Sequence, residues 1–313
     1  MAPLLEIVLP AFGLVLAGFA LCRPPLFGPG AAEALGTFNF TVALPCLLFR
    51  SMARQGMPGP DELAILGAYY TALLAACALA FAAARALFRE DTPGATVLTL
   101  GSSFSNTVLV GVPLVLAAFG PEGLRQLLLI ITFHALVLLG GGTVLIEAGR
   151  ARGQGRGLAA LAGGTALALL RNPVVTSIAA GLVFAATGLA LPKPVDRLLE
   201  LAGSSAVPCS LFALGASLVG LKVGHALGRT GLMVGAKLVL LPLLVWLSGR
   251  YVFDLPPLQL GVAVTCASLP AGFNVFLLAQ RYGLHTAPVA GAIVVSTALS
   301  ALTTGLVIAL FRV

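Results

Sequence analysis

The chain has 313 residues, of which 59% are hydrophobic and 9% charged, with a formal net charge of +7. A soluble domain carries roughly a quarter of its residues as charges to cover its surface, so this composition excludes an ordinary soluble protein and points to one whose surface faces lipid. The Lys and Arg residues fall in short breaks between apolar runs and build no basic domain, which excludes a nucleic-acid partner.

A helix crosses a bilayer with about 20 mostly apolar residues, so the length leaves room for about ten spans. In chain order the apolar runs predict helices near 3–21, 31–53, 62–84, 93–118 and 124–148, then near 172–190, 195–220, 231–252, 258–281 and 285–311. Met1 to Leu5 carries no Lys or Arg, so the opening run is read as the first span and not as a cleaved leader. The breaks are turn-rich, as at Arg23-Pro24-Pro25, Gly120-Pro121-Glu122 and Pro192-Lys193-Pro194. The longest holds Arg150, Arg152 and Arg156 among glycines and divides the chain into 1–148, a basic loop 149–171, and 172–313. With the N-terminus outside, ten Lys and Arg residues fall on the cytoplasmic side and seven on the other, Lys237 lying within a span. The cluster in the central loop favours that orientation, with both termini on the non-cytoplasmic side of the cell (inner) membrane.

The two halves read as copies. A single ungapped shift of 163 residues superposes Pro10 on Pro173, Gly18 on Gly181, Pro45-Cys46 on Pro208-Cys209, Phe49 on Phe212, Gly120 on Gly283 and Gly142 on Gly305. An odd number of spans per copy turns the second upside down in the membrane, so an all-α fold of ten transmembrane helices in two inverted five-helix repeats is expected, a plan suited to alternating access around a site at the midplane.

The fourth and ninth expected spans carry the polar and helix-breaking residues. The fourth contains Ser102, Ser103, Ser105, Asn106 and Thr107, then Gly111-Val112-Pro113; the ninth contains Thr265, Ser268, Pro270, Gly272 and Asn274. Proline removes an amide donor and clashes with the turn before it, and carbonyls freed in lipid need partners in a polar cavity or a neighbouring helix. Interrupted helices at matching repeat positions mark a transport site. Neither carries Asp or Glu, so hydroxyls, amides and half-helix N-termini remain, a donor set that favours an anion. The candidate substrate-binding residues are therefore Asn106, Ser103, Ser105, Pro113, Ser268, Pro270 and Asn274. Lys237 and His134 are candidates for charge balance or coupling, because ionisable groups inside a span are costly and histidine can carry a proton. Glu6 reads as an interfacial group. The five cysteines stand apart with no C-x-x-C pair, so no metal or cofactor is expected.

Ser105-Asn106-Thr107, Gly111-Val112-Pro113-Leu114 and Phe119-Gly120 resemble the fourth helix of the auxin efflux carrier family. Leu269-Pro270-Ala271-Gly272 with Phe276, Ala279 and Tyr282 is similar to its ninth, and Arg171-Asn172-Pro173 to the start of its second repeat. The resemblance implies crossed broken helices 4 and 9, a scaffold of helices 1, 2, 6 and 7, a moving unit of helices 3–5 and 8–10, and contact of Asn106 with a substrate carboxylate. Ser105 and Asn274 stand where plant members have proline, and the central loop is short, so the chain looks more like the bacterial carriers of malonate and related acids. The expected function is a secondary carrier of a small mono- or dicarboxylate, not an enzyme, with coupling to a proton or sodium left open and a homodimer compatible with the plan. The alternatives are a sodium-coupled bile-acid-type symporter, a membrane receptor that does not transport, and an intramembrane hydrolase using His134 with Ser102 or Ser103, which lacks a Gly-x-Ser-x-Gly elbow.

Overall fold

A computed structural model describes residues 2–22, 30–55, 59–150, 172–219, 221 and 227–311. Most of the basic central loop, with Arg152 and Arg156, lies outside the described residues, as does the side chain of Glu6.

The described chain is helical: α1 (Ala2–Leu21), α2 (31–55), α3 (Pro60–Phe88), α4 (Thr92–Ser103), α5 (107–119), α6 (121–150), α7 (Pro173–Ala186), α8 (Lys193–Leu218), α9 (Leu227–Val252), α10 (Pro257–Ser268), α11 (Phe273–Tyr282) and α12 (Thr286–Phe311). Local chemistry sets several ends. Asp91 Oδ1 accepts the Gly94 N–H at 2.8 Å and starts α4; Asn172 Oδ1 accepts the Val174 N–H at 2.9 Å and starts α7. In both the residue after the cap or the next is a proline whose missing N–H costs nothing in the first turn. Five turns within α2, α5, α6 and α9 widen to π geometry, at Asn39–Ala43, Thr107–Gly111, Leu136–Gly140, Ala236–Leu240 and Ser248–Val252.

Among the described residues, six stretches are long and apolar enough to cross a membrane by themselves: Glu33–Arg54, Glu62–Phe88, Thr107–Arg150, Lys193–Leu218, Leu227–Val252 and Thr286–Phe311. The difference from ten has physical causes. The fourth and ninth expected spans are each cut in two, leaving α4, α10 and α11 short. The sixth, expected to reach residue 190, stops at Ala186, where Gly188 takes a left-handed φ of 68°. The first expected span is α1, 20 mostly apolar residues from Ala2 to Leu21, whose side chains are described from Leu9 onward. The 44-residue stretch Thr107–Arg150 is not one straight rod, because Gly120 breaks it with φ 67° and ψ −165°. Gly283, its counterpart under the 163-residue shift, also has φ 67° and closes α11. The geometry at Gly120 is open only to glycine, and the left-handed C-cap at Gly283 favours it.

The same shift relates two close helix crossings. A Cβ at Gly18 would collide with the Phe212 carbonyl, so α1 lies against α8 backbone to backbone. A Cβ at Gly181 would lie 2.8 Å from the Phe49 carbonyl oxygen, which sets α7 against α2. Phe212 and Phe49 are themselves 163 residues apart. One buried core joins α3, α4, α6, α9, α10, α11 and α12 with parts of α2; a smaller one joins α1, α5 and α8 through Val15, Leu114 and Leu214.

Candidate functional site

The two breaks are the centre of the molecule. Helix α4 ends at Ser103 and the chain runs extended through Phe104, with Asn106 at φ −76° and ψ 65° before α5 begins. Helix α10 ends at Ser268; Leu269 takes φ −59° and ψ 153°, the extended geometry imposed on a residue that precedes proline, and Gly272 leads into α11. The extended segments meet as an isolated antiparallel bridge between Ser105 and Ala271. The Asn106 N–H donates to the Pro270 carbonyl and the Gly272 N–H to the Phe104 carbonyl, both at 2.9 Å. A Cβ at Gly272 would come within 2.5 Å of the Phe104 ring, so the crossing requires glycine there.

Backbone groups freed by the breaks find side-chain partners on neighbouring helices, as burial demands. The Ser105 N–H donates to His134 Nε2 of α6 at 3.1 Å, and the Ala271 N–H donates to Ser296 Oγ of α12 at 3.0 Å. Lys237 Nζ of α9 donates to the Ala267 carbonyl, and Thr304 Oγ1 of α12 donates to the Ser268 carbonyl at 2.7 Å. Four hydroxyls of α4 (Thr96, Thr99, Ser102, Ser103) turn back to carbonyls one turn earlier in the same helix.

On one side of the crossing lies a cavity of about 70 Å³ whose wall includes Phe40, Asn106, His134, Asn172, Phe273 and Asn274. A single water needs about 10–15 Å³ in this measure, so there is room for several waters or a small molecule. Among the described residues its lining holds no Asp, Glu, Lys or Arg. The N-termini of α5 and α11 both open on it. Asn106 Oδ1 caps α5 by accepting the Leu109 N–H at 3.3 Å, whereas α11 has no side-chain cap.

The structure brings some of the sequence candidates together and separates others. Asn106, 6% exposed, lines the cavity with Ser105 and His134, and Asn274 stands exposed at its mouth. Ser103 Oγ is held by the Thr99 carbonyl, and Ser268 Oγ by Thr265 and Thr304, so neither hydroxyl lines the cavity. Pro270 acts through its carbonyl at the bridge. Pro113 sits in the first α-helical turn after the π turn of α5, well past the break, because the widened turn before it accommodates the missing amide. Lys237 is fully buried and belongs to the end of α10, not to the cavity.

Sequence reasoning missed Asn172, Phe40, Ser296 and Thr304. The last two belong to a stripe, Ser296, Ser300 and Thr304, at four-residue spacing in an otherwise apolar helix, which is a legible signal for one polar face. The remaining polar clusters tie helix ends together: Glu62 with Arg125 and Gln126, Glu90 with Arg229 and His285, and Arg50 with Asp196.

Several apolar helices, two of them broken and paired around a small polar cavity, define a membrane transport protein. Comparison with known sequences agrees: a family described as "Membrane transport protein" matches residues 3–308. The chain belongs to that family, the auxin efflux carrier family whose motifs it carries. It is 31% identical over 312 residues to a Rhizobium meliloti protein named "Putative malonate transporter", covering 98% of this chain and 95% of that one. It is 26% identical over 304 residues, 94% of each chain, to an "Uncharacterized transporter" of Methanothermobacter thermautotrophicus. A mouse "Lysosomal cholesterol signaling protein" is 27% identical over 251 residues, which cover 76% of this chain and 29% of the mouse protein.

Proposed function

We propose that this protein is a secondary active carrier that moves a small organic anion, a mono- or dicarboxylate, across the cell membrane by alternating access. The carrying observation is the cavity at the crossing: two half-helix N-termini and Asn106 converge there with no acidic side chain among the described residues of its lining. Such a wall attracts negative charge through oriented N–H groups without placing a fixed cation in the site. The similarity to a protein named for malonate transport supports a dicarboxylate.

The proposed architecture is ten spans in two inverted repeats, 1–148 and 172–313, joined by the loop 149–171, with both termini on the non-cytoplasmic side. Its support is that α4 with α5 and α10 with α11 each serve as one interrupted span, and that Gly18 with Phe212 and Gly181 with Phe49 are equivalent crossings under one shift. Asn106, Ser105 and Asn274 contact the substrate; Ser103, Ser268, Pro113 and Pro270 shape the backbone around it. Lys237 balances charge at the carbonyl end of α10, where a coupling cation would otherwise bind.

Counterflow in liposomes tests this reading. Vesicles preloaded with unlabelled malonate are expected to accumulate labelled malonate transiently, and omitting sodium or collapsing the proton gradient identifies any coupling ion. Binding of malonate without counterflow would make the protein a receptor.

A further inference from the structure

Helices α2 and α5 share a second cavity besides the one at the crossing. Residues 47, 50, 51 and 54 of α2 follow one another at three- and four-residue spacing and so lie on one face. That face borders a cavity of about 670 Å³, walled on its other side by Leu116 and Phe119 of α5 with Glu122 at the start of α6. The cavity at the crossing is bordered by Phe40 of α2 and Val108 of α5. From Phe40 to Arg50 the helix rises about 15 Å, so the two cavities stand at different depths. The first lies beside Asn172, where α7 begins just after the central loop. The second lies at the far end of α2. Helix α5 shows the same division: it is half-buried at 108–109, buried from 110 to 115, and half-buried again at Leu116. One seam between α2 and α5 therefore has a cavity at each end and a packed middle.

Among its described residues the second cavity carries two arginines against one glutamate. Arg50 is committed to α8: its Nε donates to Asp196 at 2.8 Å and its Nη2 at 3.1 Å, with Glu200 3.6 Å away. Arg54, one turn further on, stands 4.0 Å from the same Asp196, its side chain 57% exposed. Ser51 has a buried hydroxyl without a partner. Resting on the carrier reading, we infer that this cavity is a second anion site, which collects the small carboxylate on the side of the membrane opposite the central loop, with Arg54 as its cation and the Ser51 hydroxyl as a further donor. Apolar walls beside a cation focus its field and raise the local concentration of an anion. An exposed charge pair is weak, so the site loads substrate without holding it, and the substrate passes to the crossing when the seam opens at this end.

The test places a reporter in the wall, Leu116→Cys, in the full-length protein without its native cysteines. A membrane-impermeant maleimide is expected to label it only from the side opposite the central loop, and malonate is expected to slow the labelling. The malonate concentration that halves the rate is expected to rise about three- to fivefold with Arg54→Gln, the size of one exposed charge contact. It is expected to fall with Glu122→Gln, which removes the opposing charge, and to stay unchanged with Asn106→Ser, which alters only the crossing. Protection that Asn106→Ser abolishes and Arg54→Gln leaves intact would come from the crossing and overturns the inference. So does a reporter that malonate never protects at concentrations that raise the melting temperature, or one that no reagent reaches from that side. A phospholipid phosphate offers Arg54 similar chemistry, so the purified protein is also labelled in liposomes of phosphatidylcholine alone. An effect of Arg54→Gln that persists there supports the carboxylate site; one that needs anionic lipid assigns Arg54 to a headgroup and overturns it. A wild-type protein whose melting responds to no mono- or dicarboxylate instead overturns the carrier reading, and the second site with it.

Discussion

Asn106 divides its amide between fold and cavity, and substitutions can separate the two. Serine is as good an N-cap as asparagine, so Asn106→Ser keeps α5 capped and removes only the free Nδ2 donor. Malonate affinity is expected to drop about ten- to a hundredfold with the melting temperature close to wild type, both measured on the same purified sample. Asn106→Asp keeps the cap but places a carboxylate against the anion, and binding is expected to disappear. Lys237 poses a different problem. Its ammonium is the donor to a carbonyl at the broken end of α10, so Lys237→Met is expected to lower the melting temperature through an unsatisfied buried carbonyl, about 1–3 kcal/mol. If the charge also balances a bound anion, the dependence of transport on membrane potential changes as well; unchanged voltage dependence in active Lys237→Met would leave only the structural role. Residue type in an apolar span was enough to single out Asn106, Lys237 and His134. It was not enough to separate Ser103 and Ser268 from Ser105, because which hydroxyl turns back onto its own helix depends on where that helix ends.

At the scale of elements, the sequence located both interruptions but explained one of them better. Pro270 breaks α10 directly through the restriction it places on Leu269. In the fourth span the break falls at 104–106, and Pro113 lies beyond a π turn that absorbs it. What stops α4 is the pairing of its end with the other break, a contact between residues 105 and 271 that no local pattern encodes. Of the glycine matches of the repeat, Gly18 with Gly181 turns out to be a pair of packing contacts, whereas Gly120 with Gly283 supplies two positive-φ turns. Gly18→Ala pushes a methyl into the Phe212 carbonyl and is expected to destabilise the protein by about 1–3 kcal/mol. Gly13→Ala, in the same helix with nothing within 4 Å of the added carbon, serves as the control and is expected to leave melting unchanged. Equal melting of the two variants would remove this crossing from the account of the fold.

For the whole molecule, orientation is the property that charge placement encodes and packing does not. A cysteine at Gln154, in a background without the native five, is expected to react only with reagent that has access to the cytoplasm; labelling from outside intact cells would invert the arrangement of both repeats. The π turns bear on the molecule as a linear polymer. Each winds one more residue into its hydrogen-bonded ring than an α turn does, so losing one residue there restores a regular helix without rotating the side chains beyond it out of phase. The same loss in the middle of α3 would swing every following side chain by about 100° around the helix axis. Chain length is therefore negotiable at the four of these turns that helix follows, the fifth, Ser248–Val252, being the end of α9. Two of them, Thr107–Gly111 beside Asn106 and Ala236–Leu240 around Lys237, are where a one-residue change in gene length would reshape the site before it disturbed the fold.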